Sequence, residues 1–288
     1  MLGIHPFGIY EKALTPTDSW QTRLETVRSL GFDFLEICID EKDDRIDRLY
    51  NSNKRAKIIG ASLHTGIPIP SMCLSAHRRF SFGSADSERR DIAWDIMVRA
   101  IEFADELGVS IIQIAAYDVY YEPSTKESRA RFIDTLGKAV DLASKYKITL
   151  ANEIMDTPFM NSITKHLTLE KEIHNPWLKV YPDLGNLTAW GNDVVSELNK
   201  GRNHIAQVHL KDTLPVTDSF PGKFRDVSFG SGCVDFPLCF ETLNQIGYKG
   251  SYLLEMWHHN DDNGTQRVEE SKRYIERKFA AAKGVVPK

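Results

Sequence analysis

Short apolar runs alternate with longer amphipathic segments from one end of this chain to the other. Eight of these runs have the length and composition of β-strands. They cover residues 6–10, 32–39, 69–74, 110–115, 148–153, 178–182, 205–210 and 251–255. Because strands that alternate with helices are typical of βαβ units, the pattern predicts an α/β fold with a parallel sheet.

The segments between the runs carry apolar residues at the helical period, as expected for helices that pack on a sheet. Two examples are Trp20, Leu24, Val27 and Leu30, and Ile92, Ile96, Ala100, Phe103 and Leu107. Gly31, Gly108 and Gly247 each follow such a segment, where a left-handed helix cap favours a residue without a β-carbon. A (β/α)₈ barrel needs roughly 250 residues, so we predict a single TIM-barrel domain over residues 1–288.

Ligand-type side chains stand at the ends of the last four predicted strands. They are Glu153, Asp183, His209 and Glu255, and they follow one another at intervals of 30, 26 and 46 residues. In a closed parallel barrel the carboxyl ends of these strands are neighbours, so single residues can converge without a local motif. Any one of the four, taken alone, could instead cap a helix or join an ion pair. As a set, three carboxylates and one imidazole predict a site for one divalent metal ion, and they suit Mn²⁺, Co²⁺, Zn²⁺ or Mg²⁺ alike.

Composition and charge narrow the class of protein. The chain is 42% hydrophobic, enough for one large core, and its net charge of −4 with a pI near 6.2 leaves no basic stripe for nucleic acid. The four cysteines show neither zinc-knuckle nor disulfide spacing, and the amino terminus lacks the features of a signal peptide. We therefore expect a cytoplasmic protein with reduced thiols and with no nucleic-acid or membrane partner.

A basic cluster follows the third predicted strand, on the same face as the predicted metal site. It consists of His77, Arg78 and Arg79, and arginine offers forked donors suited to a phosphate. A solvated surface charge run is the alternative. Structural roles are expected for the histidines on helical segments or helix-to-strand connections, which are His64, His166, His174 and His204.

The irregular stretch 211–234 follows the seventh predicted strand and is long enough to suggest a functional loop. It adds Lys211, Lys223 and Arg225 to the same face, and Gly230 and Gly232 would expose backbone amides there. These features indicate a phosphorylated or otherwise anionic substrate.

The predicted site suits proton transfer next to a ketone. A cation with open positions can polarise a carbonyl and stabilise the enediolate that forms when the neighbouring carbon loses its proton. Glu153 and Glu255 come from the fifth and eighth strands, so one can remove a proton and the other can return it to the opposite face. Two bases on two faces invert a stereocentre, which favours epimerisation over aldose–ketose isomerisation.

With these residues in view, the chain resembles the L-ribulose 5-phosphate (L-xylulose 5-phosphate) 3-epimerases, also labelled hexulose-6-phosphate isomerases, among the xylose-isomerase-like barrels. The segments that carry the resemblance are 8–14, 31–34, 70–80, 117–121, 153–156, 181–187, 208–213 and 255–257. They extend over nearly the whole chain.

The resemblance implies that the four ligand-type residues bind the metal and that Glu153 and Glu255 also form the acid–base pair. It implies interconversion of L-xylulose 5-phosphate and L-ribulose 5-phosphate in the breakdown of L-ascorbate or related pentoses, by a homodimer. Ketose 3-epimerases of the wider group have a histidine three positions after the aspartate ligand, where this chain has Asn186, so substrate contacts need not transfer from them. The candidate substrate or phosphate contacts are His77, Arg78, Asn186, Lys211, Lys223 and Arg225.

Three other functions are alternatives for this set of residues. An aldose–ketose isomerase of sugar phosphates could use the same metal and fold, and a non-catalytic sugar-phosphate sensor could retain the barrel. A metal-dependent endonuclease on this barrel would need more histidines at strand ends and a basic groove, and this chain shows neither. In deuterated water, L-ribulose 5-phosphate that gains deuterium at C3 with inverted configuration indicates the epimerase, whereas an aldose product indicates the isomerase. Loss of solvent exchange in Glu255→Gln with the metal still bound excludes the sensor.

Overall fold

The computed structural model describes residues 2–259, 261 and 263–282. The strands of this part of the chain are β1 (Phe7–Tyr10), β2 (Phe34–Ile39), β3 (Ser71–Leu74), β4 (Ile111–Ile114), β5 (Thr149–Glu153), β6 (Leu178–Tyr181), β7 (Val208–Leu210) and β8 (Tyr252–Leu254). They pair in parallel in the order β6-β5-β4-β3-β2-β1-β8-β7. Isolated bridges from Val180 to Ile205 and from Asp183 to His209 bring β6 beside β7. The sheet is therefore a nearly closed barrel, which confirms the predicted (β/α)₈ fold.

Helices follow every strand and surround the sheet. The α-helices are α1 (Trp20–Ser29), α2 (Asp43–Ile46), α3 (Ser52–Thr65), α4 (Ser87–Leu107), α5 (Lys126–Lys145), α6 (Ile163–Ile173), α7 (Leu184–Ala189), α8 (Val194–Gly201), α9 (Phe236–Gln245) and α10 (Gly264–Ala282). Short 3₁₀ turns cover Glu11–Ala13, Asp47–Leu49, Ala76–Arg78 and Pro158–Met160. Within the described residues, no helix is both long enough and apolar enough to cross a membrane.

Local sequence explains where these helices begin and end. At the start of α5 the side chains of Thr125 and Ser128 each accept a hydrogen bond from the other residue's backbone N–H, which is a capping box. Gly31, Gly108 and Gly247 have φ values of 71°, 80° and 75°. These left-handed conformations at the predicted positions confirm the predicted helix caps.

The strand predictions agree with the structure, since every strand lies inside its predicted range. The seventh is the least complete, because Ile205 contributes only an isolated bridge and the ladder begins at Val208. The helical pattern is wrong at Ile92, which is 42% exposed. The buried face of α4 begins one residue later, at Ala93, and continues through Ile96.

Side chains alternate between the two faces of each strand and so create two apolar regions. The larger one lies between the strands and the helices. A smaller cluster inside the barrel consists of Tyr10, Phe34, Cys38, Cys73 and Leu253. Polar residues share this interior, and they lead to the strand ends where the predicted site lies.

Candidate active site

The four ligand-type residues meet at the carboxyl end of the barrel. Glu153 is the last residue of β5 and His209 lies within β7, whereas Asp183 and Glu255 come just after β6 and β8. One ligand atom from each residue lies within 4.8 Å of the other three, and all four residues are buried. The convergence expected from adjacent parallel strands is therefore present.

The cluster carries more negative than positive charge. The ammonium group of Lys211 lies 2.5 Å from Oδ2 of Asp183 and 3.0 Å from Oε2 of Glu255. Among the described residues, neither of these oxygens receives a hydrogen bond of good geometry, so their contact with Lys211 is an ion pair. Buried carboxylate oxygens need a cation or a donor to offset their lost hydration. The donor set and its excess of carboxylates thus fit a divalent metal ion.

Burial and mutual repulsion also shift the pKa values in the cluster. Burial is the largest cause that raises the pKa of Asp183, which reaches about 7; neighbouring Glu255 and Glu153 also raise it, and Lys211 opposes them. For His209, burial lowers the pKa, but Glu255, Glu153 and Glu36 outweigh burial and raise it well above its ordinary value. The carboxylates of Glu153 and Glu255 contribute to both shifts, as expected where negative charge is in excess.

The His209 ring is held from two sides. Its Nδ1 lies 3.0 Å from Oε1 of Glu153, and its Nε2 lies 3.3 Å from Oε1 of Glu36. The other oxygen of Glu36 accepts a hydrogen bond from the Tyr181 hydroxyl at 2.9 Å, and the Gln113 amide donates to Oε2 of Glu153. Sequence analysis missed Glu36, although a single charged residue within the apolar run 34–39 was an available signal.

A pocket joins the cluster to several basic residues. It is lined by Arg78, Glu153, Met155, Asp156, Asn186, Lys211, Phe224, Arg225 and Glu255. Four of the predicted substrate contacts, at positions 78, 186, 211 and 225, therefore share a pocket with both glutamates of the predicted acid–base pair.

Neighbouring aromatic rings hold Arg78 at the pocket. Its guanidinium carbon lies 5.5 Å from the ring centre of Tyr117 and 5.6 Å from that of Tyr120. Tyr117 in turn donates a hydrogen bond to Asp156, another pocket residue. Stacking of this kind keeps a guanidinium ordered while leaving its N–H groups available to an anion.

Asn186 belongs to the same wall and supports Asp183. Its backbone N–H donates to Oδ1 of Asp183 at 2.9 Å, which makes Asp183 the N-cap of α7. Its side-chain amide donates to the carbonyl of Ile154 at 2.8 Å, while its side-chain oxygen has no hydrogen-bond partner among the described residues. The oxygen is therefore available to a substrate hydroxyl.

A second cavity of about 380 Å³ extends from Lys211 and Glu255 towards α10. Trp257 lies in its wall, and the guanidinium carbon of Arg225 lies 5.4 Å from the centre of the Trp257 ring. Ligand pockets for small molecules begin at roughly 300 Å³. The site thus has room for a substrate that extends beyond the reacting carbons.

Asp212 organises the long loop after β7. Its carboxylate accepts hydrogen bonds from the backbone N–H groups of Thr213 (3.0 Å), Gly230 (2.8 Å), Gly232 (3.0 Å) and Val234 (3.3 Å). The amides of Gly230 and Gly232, which were expected to be exposed to a phosphate, are therefore used within the loop. That expectation is wrong, because a buried carboxylate already fills the role of the anion.

Two of the predicted substrate contacts lie outside the pocket. His77 is buried with Nε2 3.0 Å from the carbonyl oxygen of Ala93, because the 3₁₀ turn that carries it directs its ring towards α4. Lys223 is exposed, and its backbone pairs with Leu214 in a short ribbon within the loop. Neither belongs to the described residues that line the pocket, so the structure does not bring them together with the other four candidates.

Histidines expected to be structural do lie away from the site. His204 contacts Glu170 at 2.7 Å, and His166, which is buried in α6, lies 3.6 Å from the same carboxylate. His174 caps α6 with a left-handed φ of 53°. These contacts join the outer helix layer to the start of β7.

Comparisons with known proteins agree with this geometry. The family model described as xylose isomerase-like TIM barrel matches residues 24–278. L-ribulose-5-phosphate 3-epimerase UlaE of Salmonella heidelberg (strain SL476) is 48% identical over 278 residues, which cover 96% of each chain. SgbU of Escherichia coli (strain K12) is 49% identical over 279 residues, covering 96% of this chain and 98% of SgbU. A solved structure of L-ribulose 3-epimerase has a TM-score of 0.76 at 17% identity, covering 97% of this chain and 96% of that one, and so shares the fold.

Proposed function

Since this chain belongs to the xylose isomerase-like TIM barrels and, within them, to the L-ribulose-5-phosphate 3-epimerase family, we propose that it interconverts L-ribulose 5-phosphate and L-xylulose 5-phosphate. The observation that carries the proposal is the buried cluster of three carboxylates and one imidazole, within 4.8 Å of one another, beside a pocket with basic residues. The reaction would serve the breakdown of L-ascorbate or related pentoses, with a homodimer as the working form.

We assign one divalent cation to Glu153, Asp183, His209 and Glu255. The assignment is supported by their convergence, their burial and the carboxylate oxygens that lack directed hydrogen bonds within the described chain. When bound, the cation would supply positive charge next to the oxygen that becomes negative as the adjacent carbon loses its proton.

Glu153 and Glu255 are the proposed acid–base pair. They approach the pocket from β5 and β8, so their carboxylates can reach the two faces of a bound ketose. Each carboxylate is oriented by a neighbour, Glu153 by Gln113 and Glu255 by Lys211. One would remove the C3 proton and the other would deliver a proton to the opposite face, which inverts the configuration.

Basic residues on the pocket wall are the proposed phosphate contacts. Arg78 and Arg225 both line the pocket and both stack on aromatic rings, which leaves their N–H groups free to bind a dianion. Asn186 would bind a sugar hydroxyl through its side-chain oxygen. Lys211 would contribute less to phosphate binding, because its ammonium group is already paired with the carboxylates of Asp183 and Glu255.

Solvent exchange tests the proposal. Metal-loaded protein incubated with L-ribulose 5-phosphate in deuterated water should yield L-xylulose 5-phosphate that carries deuterium at C3, as followed by NMR. Glu153→Gln and Glu255→Gln should each reduce net inversion by about 100-fold or more, the usual contribution of a positioned base. If each glutamate serves one face, one variant should still exchange the C3 proton of one epimer without inverting it.

The matched control is Glu197→Gln, which alters a buried carboxylate that binds Thr164 and Lys200 in the outer helices. It should turn over at the wild-type rate. Metal content is measured for every variant, because both catalytic glutamates are also proposed ligands. An aldose product would support the isomerase alternative, and a sugar phosphate bound without exchange would support the sensor.

A further inference from the structure

Glu36 forms a buried contact that the proposed reaction does not use directly. It lies in the middle of β2, and its side chain is fully buried in the barrel interior. Its Oε1 lies 3.3 Å from Nε2 of His209, and its Oε2 accepts the Tyr181 hydroxyl at 2.9 Å. Throughout the described ranges, no lysine or arginine forms an ion pair with it.

Burial removes the hydration of the Glu36 carboxylate, so the hydrogen bond from Tyr181 and the contact with the His209 ring must offset that loss. Its surroundings form one packed group, since the Tyr181 ring meets the His209 ring edge-on with centroids 4.4 Å apart. Glu36 contacts the side of the imidazole that faces away from the metal cluster. The opposite nitrogen, Nδ1, lies 3.0 Å from Glu153 and 3.7 Å from Glu255.

The contact with Glu36 decides which nitrogen of His209 is available to a cation. An ionised carboxylate can only accept, so Nε2 must be the nitrogen that donates its hydrogen to Glu36. Nδ1 faces the carboxylates of Glu153 and Glu255, so a cation bound there would take the place of the Nδ1 hydrogen and meet the Nδ1 lone pair, while Nε2 keeps its hydrogen for Glu36. With the hydrogen on Nδ1 instead, the lone pair on Nε2 would face a carboxylate and the ring would be lost as a ligand.

We infer that Glu36 is a positioning residue for the metal site. It holds His209 with Nδ1 towards the cation, and Tyr181 holds Glu36 in turn. Glu36 itself is neither one of the four clustered residues nor one of the described residues that line the pocket. The inference rests on the proposed function only in requiring the cation, and it does not depend on which sugar the protein converts.

Two substitutions at Glu36 test this role. Glu36→Met removes the acceptor at similar length, whereas Glu36→Gln keeps an oxygen that can face Nε2 while its amide nitrogen faces the Tyr181 hydroxyl. With Co²⁺ as the probe and a chelator as competitor, Glu36→Met should weaken binding by about 10–100-fold, and Glu36→Gln by less. The visible absorption of the Co²⁺-loaded protein should change in Glu36→Met. Imidazole ¹⁵N NMR of the Zn²⁺-loaded wild type should show the His209 hydrogen on Nε2.

Gln207→Met is the matched control, since Gln207 is 1% exposed, lies in the same barrel interior and bonds Ser71 rather than the cluster. It should leave Co²⁺ affinity unchanged. Tyr181→Phe removes the hydroxyl that donates to Glu36 and should weaken Co²⁺ binding to an intermediate degree. It tests the role of Glu36 if Glu36→Met fails to fold.

The inference is overturned if Glu36→Gln, Tyr181→Phe and, where it folds, Glu36→Met all bind Co²⁺ as tightly as the wild type does. An equal loss of affinity in Gln207→Met would overturn it as well, and so would a wild-type protein that binds no Co²⁺. A protein that binds Co²⁺ in a Glu36-dependent way but does not invert C3 would refute the proposed function and leave this inference standing.

Discussion

Glu11→Gln is expected to destabilise the fold by several kcal/mol, because the Glu11 carboxylate is the shared partner of three arginines. Glu11 follows β1 directly, and its side chain is fully buried. Nη1 atoms of Arg23, Arg45 and Arg48 each lie 2.8 Å from one of its oxygens. The backbone N–H of Cys38 in β2 donates to the same carboxylate at 2.8 Å. The group therefore ties the first two strands to the segments that follow them.

The lowered pKa of Glu11 gives the size of the expected loss in unfolding free energy. Burial by itself raises this pKa, but Arg48 and Arg45 outweigh burial and lower it from its ordinary value of 4.5 to about 2. At about 1.4 kcal/mol per tenfold change, this difference corresponds to about 3 kcal/mol of stability at neutral pH. Because the folded-state pKa is the lower one, that stability is present above about pH 4.5 and is lost as the pH falls towards 2. Glutamine would also remove the buried counter-ion of Arg23 and Arg48 and leave Arg45 with Asp40 at 3.7 Å, so we expect a loss of about 3–5 kcal/mol.

Urea unfolding followed by circular dichroism at several pH values measures the effect. The difference in unfolding free energy between wild type and Glu11→Gln should be largest near pH 7 and should shrink below pH 4. The matched control is Glu102→Gln, which breaks a 2.9 Å pair with Arg99 on an exposed helix face and should cost at most about 1 kcal/mol. A difference below about 1 kcal/mol at pH 7, or one that does not change between pH 7 and pH 3, would refute the reasoning.

Three further predictions follow from contacts around the site. His77→Phe should leave KM within twofold of wild type but lower the unfolding free energy by about 1–3 kcal/mol, since it removes the bond to the Ala93 carbonyl; a large rise in KM would restore a substrate role. Gly185→Ala should lower the unfolding free energy by about 1–3 kcal/mol, because a β-carbon there would lie 2.7 Å from the Lys211 carbonyl oxygen. The same displacement should weaken Co²⁺ binding in chelator competition, and wild-type values in both assays would contradict this. Asp212→Asn leaves one acceptor oxygen for four N–H groups, so trypsin should cleave the loop 211–234 severalfold faster on a gel time course, and an unchanged rate would argue against it.

The amino-acid sequence determined the barrel and the metal-type cluster. Alternation of apolar runs with helical periodicity requires parallel strands joined by helices, and every observed strand lies inside a predicted range. Once the strands are parallel, their carboxyl ends lie on one face, so Glu153, Asp183, His209 and Glu255 were expected to converge before any distance was known. Strand ends are predictable because backbone hydrogen bonding fixes their positions.

Only the tertiary structure decided the direction of side chains in loops and within the barrel. Sequence analysis grouped His77 with Arg78, yet a 3₁₀ turn directs the first towards α4 while the second lines the pocket. It likewise expected the backbone amides of Gly230 and Gly232 to be free to bind a phosphate, although both donate hydrogen bonds to the Asp212 carboxylate. The role of Glu36 depends on its contacts with Tyr181 and His209, which lie 145 and 173 positions further along the chain. Hydrophobic periodicity indicates which face of a helix or strand is buried. Which side chains then meet across the barrel interior depends on how all eight strands close into the barrel.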